Sequence, residues 1–231
     1  MAKRQLPTIS KGAKWLLIVS TALSVGFIVS GQEISTQLGH WLLATPHSIW
    51  QKAFVWQLMT SPLIEPEMIG LLFQGFMLWM FIPSLERWWG TKRFLSFCLY
   101  TSLAGVVVGT LVGLFTGQLN VPAAGLDPTI FASLIAFGIL FSKQPVQFFG
   151  VVPMTGKQLA IGISAVALLL IFVGKQWVQG GANVGAMVMA ILICKGKFTP
   201  RIWALKWKQR RLRKKIKIVK DDDVPPKKWM N

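Results

Sequence analysis

Six mainly apolar stretches punctuate the chain, at residues 15–30, 68–81, 94–116, 128–141, 158–174 and 178–194. A bilayer core about 30 Å thick takes roughly 20 such residues per helix, so the pattern predicts six membrane-crossing helices. The second and fourth stretches are short, and helices of that length either leave part of themselves in the interface or thin the bilayer around them. The first stretch could pass for a signal peptide, but no convincing small-residue cleavage site follows it. It is read as a retained helix that completes an even number of spans.

Composition agrees with this reading. Of 231 residues, 53% are apolar and only 14% charged, against about 25% charged in an average soluble domain. The class expected is therefore an all-α integral membrane protein. Cys98 and Cys194 both fall inside apolar runs and describe neither a disulfide framework nor a zinc site. No phosphate-cradling loop, HExxH or EF-hand pattern is present, so no cofactor or metal is expected.

Charge then sets the orientation. The net charge is +17, and 23 of the 25 Lys and Arg residues lie before the first stretch, in alternate links, or after the last. The intervening links hold only Lys52 and Lys175. Basic residues accumulate on the cytoplasmic side, which predicts that both termini are cytoplasmic. The expected location is a multi-pass position in a bacterial inner (plasma) membrane.

The chain divides into a cytoplasmic tail over 1–14, a membrane domain over 15–195, a basic amphipathic segment over 196–220 and a disordered end over 221–231. The outer loop at 31–67 carries Trp41, Trp50, Phe54, Trp56, both histidines and three of the eight acids, a mixture suited to the headgroup level. In the 196–220 segment Arg201, Trp203, Trp207, Arg210, Arg211, Arg213, Lys214 and Lys215 interleave cations with aromatic rings. Anionic membrane lipid is the expected contact there, with a cytoplasmic protein partner as the alternative. A ribosome or nucleic acid is a lesser candidate for the same composition.

The string GLLFQGFMLWMFIPSLERWWGTKRFL over residues 70–95 resembles the rhomboid family of intramembrane serine proteases. Leu85, Glu86, Arg87, Gly90, Lys92, Arg93 and Phe94 follow its Leu-Glu-Arg, Gly and basic pattern. Trp56-Gln57 and Thr60 resemble its Trp-Arg-x-x-Thr loop motif, and Leu103-Ala104-Gly105 its small-residue third helix. Gly125-Leu126-Asp127-Pro128 stands where the family has Gly-x-Ser-Gly, and Ala182-Asn183-Val184-Gly185-Ala186 where it has Ala-His-x-Gly-Gly. The resemblance spans about residues 50–195 and implies a six-helix bundle with a long, half-embedded first outer loop.

It does not imply proteolysis. The nucleophile position holds Asp127 and the general-base position Asn183, an amide with no usable pKa for proton transfer. Gly70 and Gln74 stand at the oxyanion-supporting positions, and Gln57 replaces the loop Arg. Thr129 and Ser133, the hydroxyls nearest by, are read as hydrogen-bonding to backbone or to a neighbouring helix. Asp127 before Pro128 is read as a helix N-cap with proline at the first helical position. A hydrogen bond from Asp127 to Asn183 across the old active site is expected. Gly185, Ala186 and Ala190 should pack the sixth helix on the fourth, at Ala132 and Ala136, and Gly105, Gly109 and Gly113 make one smooth face, by default for internal packing and otherwise for a partner helix.

The expectation is a non-enzymatic, rhomboid-like pseudoprotease that binds transmembrane segments of client proteins, for escort, quality control or regulation. A lateral opening between the second and fifth helices would admit them. Gly70, Gln74, Gly125, Asp127, Asn183 and Gly185 would line the degenerate site. The rival reading is a constitutive scaffold subunit of a larger membrane complex. Ion transport through Asp127 has thin support, because one intramembrane acid makes no relay.

Overall fold

The computed structural model describes residues 10–143, 145–148 and 152–196. The membrane unit ends at Cys194, so the basic segment with Arg201, Trp203, Trp207, Arg210, Arg211, Arg213, Lys214 and Lys215 lies outside the described residues. The elements are α1 (Lys11–Val29), α2 (Gln32–Leu42), α3 (Pro46–Trp50), α4 (Gln57–Thr60), α5 (Met68–Trp89), α6 (Thr91–Thr116), α7 (Asp127–Leu140), α8 (Gly156–Val173) and α9 (Trp177–Cys194). A short antiparallel hairpin, β1 (Pro145–Phe148) with β2 (Val152–Thr155), joins α7 to α8. The protein is an α-helical membrane protein, and α1, α5, α6, α8 and α9 are each long and apolar enough to cross a bilayer.

The fourth apolar stretch forms α7, whose 14 residues at about 1.5 Å each reach only roughly 21 Å. It packs against α5, α6, α8 and α9, and most of its side chains, from Pro128 to Gly138, are buried. A helix apolar all round belongs in a core. The lipid thinning expected from two short helices therefore loses both its causes, since α7 is enclosed by neighbours and α5 is 22 residues long. The second apolar stretch extends beyond residue 81: α5 runs through Pro83 to Trp89 and ends at Gly90, which has φ +78°. Proline forfeits one backbone bond, and the Pro83 carbonyl is itself taken up by the Arg87 Nε donor at 3.1 Å.

The tightest interface joins α6 to α9. A Cβ at Gly109 would lie 2.6 Å from the Val178 carbonyl oxygen and 2.8 Å from the Ala182 Cβ; one at Gly105 would lie 2.9 Å from the Ala182 oxygen. Gly181 and Gly185 reciprocate against Val112 and Val108. The glycine face is thus spent on internal packing. Gly185 faces α6 and not α7, while Ala186 and Ala190 share the main core with Ala132 and Ala136. Gly109→Ala is expected to destabilise the bundle by about 2 kcal/mol through overpacking against backbone. Gly26→Ala, where a Cβ meets nothing within 4 Å, should be neutral or slightly stabilising; unfolding curves of the two variants in mild detergent check the contrast.

Polar ties fix α1 to the bundle. Ser20 Oγ accepts from Gln74 Nε2 at 2.7 Å and donates to the Leu63 carbonyl at 3.0 Å. Ser24 Oγ accepts the Glu65 N–H at 2.8 Å. At the far end of α5 the Glu86 carboxylate accepts the Gly12 and Ala13 N–H groups, both at 2.8 Å, the Thr91 hydroxyl at 2.7 Å and the Ser10 hydroxyl. Those N–H groups belong to the first turn of α1, which has no side-chain cap of its own. Glu86 is their cap, supplied from another helix.

Candidate functional site

Some of the positions singled out from the sequence, Gly70, Gln74 and Gly125, converge on a residue that was not among them. Glu65, between Ile64 and Pro66 just before α5, is only 8% exposed. Its carboxyl fills the space left by two missing side chains: a Cβ at Gly70 would lie 2.6 Å from Glu65 Oε1, and one at Gly125 2.1 Å from Oε2. Gly125 is doubly constrained, since it also has φ +79°, where an L side chain is strained. Its N–H bonds the carbonyls of Ser61 at 3.2 Å and Ile64 at 3.0 Å. These bonds hold the loop before α7 against the loop before α5.

Gln74 closes the next layer. Its Nε2 donates to Ser20 on α1, and its Oε1 accepts the Leu126 N–H at 3.2 Å. One buried amide thus ties α1, α5 and the start of α7. Burial pushes the Glu65 carboxyl up to about 7, the nearby Asp127 charge adds to the rise, and the Glu67 backbone N–H opposes it. No basic side chain figures among those influences. Chemically this is a protonatable carboxyl held where three segments meet.

Gly70, Gln74 and Gly125 are therefore brought together around Glu65, with Asp127 beside it. Asn183 and Gly185 are not part of this cluster. The Gln179 side chain, one turn before Asn183 on α9, lies beside the Asp127 carboxyl, and its Nε2 donates to the Ala124 carbonyl at 3.1 Å. Asn183 is buried, its Oδ1 accepts no hydrogen bond, and the side chain beside the Asp127 carboxyl is Gln179, so the expected bond between Asp127 and Asn183 does not form. Asp127 is also not a cap: α7 begins at Asp127 itself, after Leu126, with no side-chain cap bond. Proline at the second helical position is compatible with this, because its missing N–H lies among the unbonded first four. Thr129 bonds Ser102 of α6 at 2.6 Å, as expected for a hydroxyl between helices, whereas the buried Ser133 Oγ has no partner.

Gln57 sits in a second polar cluster. It is fully buried, its Nε2 donating to the His40 carbonyl at 2.8 Å and its Oε1 accepting from Ser48. Sequence reasoning missed Glu65 because an acid in a loop looks solvated. The available signal was an acid in an Ile-Glu-Pro setting, close in sequence to one of two glycines that leave room for it.

Over residues 14–195 the chain matches the family described as Eukaryotic integral membrane protein (DUF1751), and it belongs to that family. No curated protein matches it. The match corrects two expectations. The family named is not a rhomboid protease family, and the positions that suggested one have structural duties here: Glu86 caps α1, Gln57 laces the outer loop, and Gly70 and Gly125 house Glu65. The family is eukaryotic, so the expected bacterial inner membrane is also set aside. Basic bias orients helices in bacterial and eukaryotic membranes alike and therefore could not tell them apart.

Proposed function

We propose that this member of a eukaryotic membrane protein family binds transmembrane segments of partner proteins, between α5 and α8, without acting as an enzyme. The bundle is read as six spans, with α7 the short, central one. The observation that carries the proposal is that α5 and α8 both pack on α7 yet share no extensive interface with each other. α5 exposes Ile69 at 82% and Leu72 at 65%, and α8 exposes Leu169 at 62% and Phe172 at 70%. A partner helix laid between them would gain side-chain packing that lipid tails supply less well. The polar centre at the start of α7 is occupied by the chain's own Glu65 and Gln74, which favours recognition over turnover.

A photo-crosslinking residue at Leu72 or Phe73, in the full-length protein in native membranes, tests this; Gln74 is too buried to report. Discrete adducts with membrane proteins are expected there and not at Leu23, an exposed position on α1. Lipid adducts alone at all three positions would overturn the reading. A single partner recovered in fixed ratio would instead favour a constitutive scaffold subunit, a reading consistent with how firmly the loops are pinned.

A further inference from the structure

The outer loop encloses a cavity of about 540 Å³ that the helix-binding proposal does not use. It lies between α2, α3, the turn around Lys52 and Phe54, and the segment with Asn120 and Pro122. His40, His47 and Lys52 all line it, and no carboxylate does. Such a lining complements an anion, and Asn120, Thr36 and Thr45 add neutral hydrogen-bonding groups.

The walls are built before any ligand arrives. The last carbonyls of α2, on His40, Trp41 and Leu42, accept from Gln57 Nε2 at 2.8 Å, Trp56 Nε1 at 2.9 Å and Thr60 Oγ1 at 2.7 Å. The opposite wall is tied by the Ala123 N–H to the Ala44 carbonyl at 2.8 Å and the His47 N–H to the Leu119 carbonyl at 3.0 Å. A pocket held in this way costs a ligand little ordering.

The surroundings say where the cavity lies. α2 buries none of its residues although Ile34 and Trp41 are apolar and exposed. Trp41, Phe54 and Trp56 stack on one another, with centroids 5.7 Å apart for Trp41 and Phe54 and 4.6 Å for Phe54 and Trp56. An exposed amphipathic helix beside stacked tryptophans suits the membrane–water interface. We infer that this cavity seats the phosphate headgroup of an anionic glycerophospholipid, with Lys52 as its fixed positive charge and His40 and His47 as donors. Leu43, Phe54 and Pro122 form the apolar wall along which the glycerol and acyl chains leave. A soluble phosphate would meet the three basic groups but leave that wall uncovered.

The test uses the full-length protein in phosphatidylcholine vesicles with a minor fraction of phosphatidylethanolamine N-acylated by a diazirine, which carries one negative phosphate. Adducts are mapped by mass spectrometry, because the basic tail is a separate attraction for the same lipid. Labelling is expected within residues 36–54, with phosphatidylserine competing and added phosphatidylcholine not. Lys52→Gln should lower that labelling about tenfold, on the scale of one charge-assisted bond, and Lys52→Arg should restore it. His40→Gln with His47→Gln should lower it further, while tail labelling stays constant in every variant. Adducts confined to 195–231, equal competition by phosphatidylcholine, or indifference to Lys52→Gln would overturn the inference. Displacement by glycerol 3-phosphate would overturn the lipid as the source of the phosphate.

Discussion

Replacing Glu86 by alanine is expected to release the start of α1 from the bundle and to cost about 4 kcal/mol, the largest effect of any single change considered for this protein. The carboxylate accepts two backbone N–H groups and the hydroxyls of Ser10 and Thr91, so it caps α1 while holding the first turn of α6. Each bond to a charged group contributes roughly 1.5–3 kcal/mol when its loss strands a partner, and water reaching the helix ends recovers part of that. The positive end of the α1 dipole adds to the preference for a negative charge there. Glu86→Gln keeps one acceptor oxygen and should lose about half as much. Neighbouring space limits repair, because a Cβ at Gly12 would lie 2.9 Å from Glu86 Oε1. Unfolding in mild detergent ranks the three proteins, and proteolysis near the start of α1 reports the local release. Equal stability of the parent and Glu86→Ala would mean that the cap contributes nothing.

That role bears on what the sequence could and could not tell. Glu86-Arg87 was legible as a motif and misleading as a lineage, since an acid at the end of one helix, close to the start of two others, is what any tightly packed helical bundle can use. The helices themselves were legible. α6, α7, α8 and α9 begin and end within about three residues of the apolar runs, because glycines, lysines and prolines bound them and apolar length is a direct physical requirement of the bilayer. α5 runs eight residues beyond the apolar stretch at 68–81, because buried neighbours on both sides of Pro83 carry the helix past it. The candidate site was half legible. Gly70, Gln74 and Gly125 do meet, but what they meet around is Glu65, and no spacing rule connects a loop acid to a glycine at position 125. That Gln179 and not Asn183 stands beside Asp127 is a matter of one helical turn, finer than periodicity resolves.

At pH 8 the Glu65→Gln protein is expected to be more stable than its parent, and at pH 4 the two should agree. The folded carboxyl is raised to about 7 from an ordinary 4.5, so between those values the folded state holds a proton that the unfolded chain has released. Stability from this group is therefore fullest below pH 4.5, declines as pH rises toward 7, and is flat above. The interval from 4.5 to about 7, at about 1.4 kcal/mol per pH unit, sets a ceiling of roughly 3 kcal/mol on the gain, which residual hydration reduces. Glutamine keeps the shape that Gly70 and Gly125 accommodate and an oxygen for the Glu67 N–H, while carrying no charge beside Asp127. The variant removes this one carboxyl, so the difference between the two stability-against-pH curves reports Glu65 together with its coupling to the Asp127 charge. A difference that grows from pH 4.5 to 7 and then levels off is the expected shape. Parallel curves across that range would show that the carboxyl is solvated in the folded protein and that the two glycines do not enclose it.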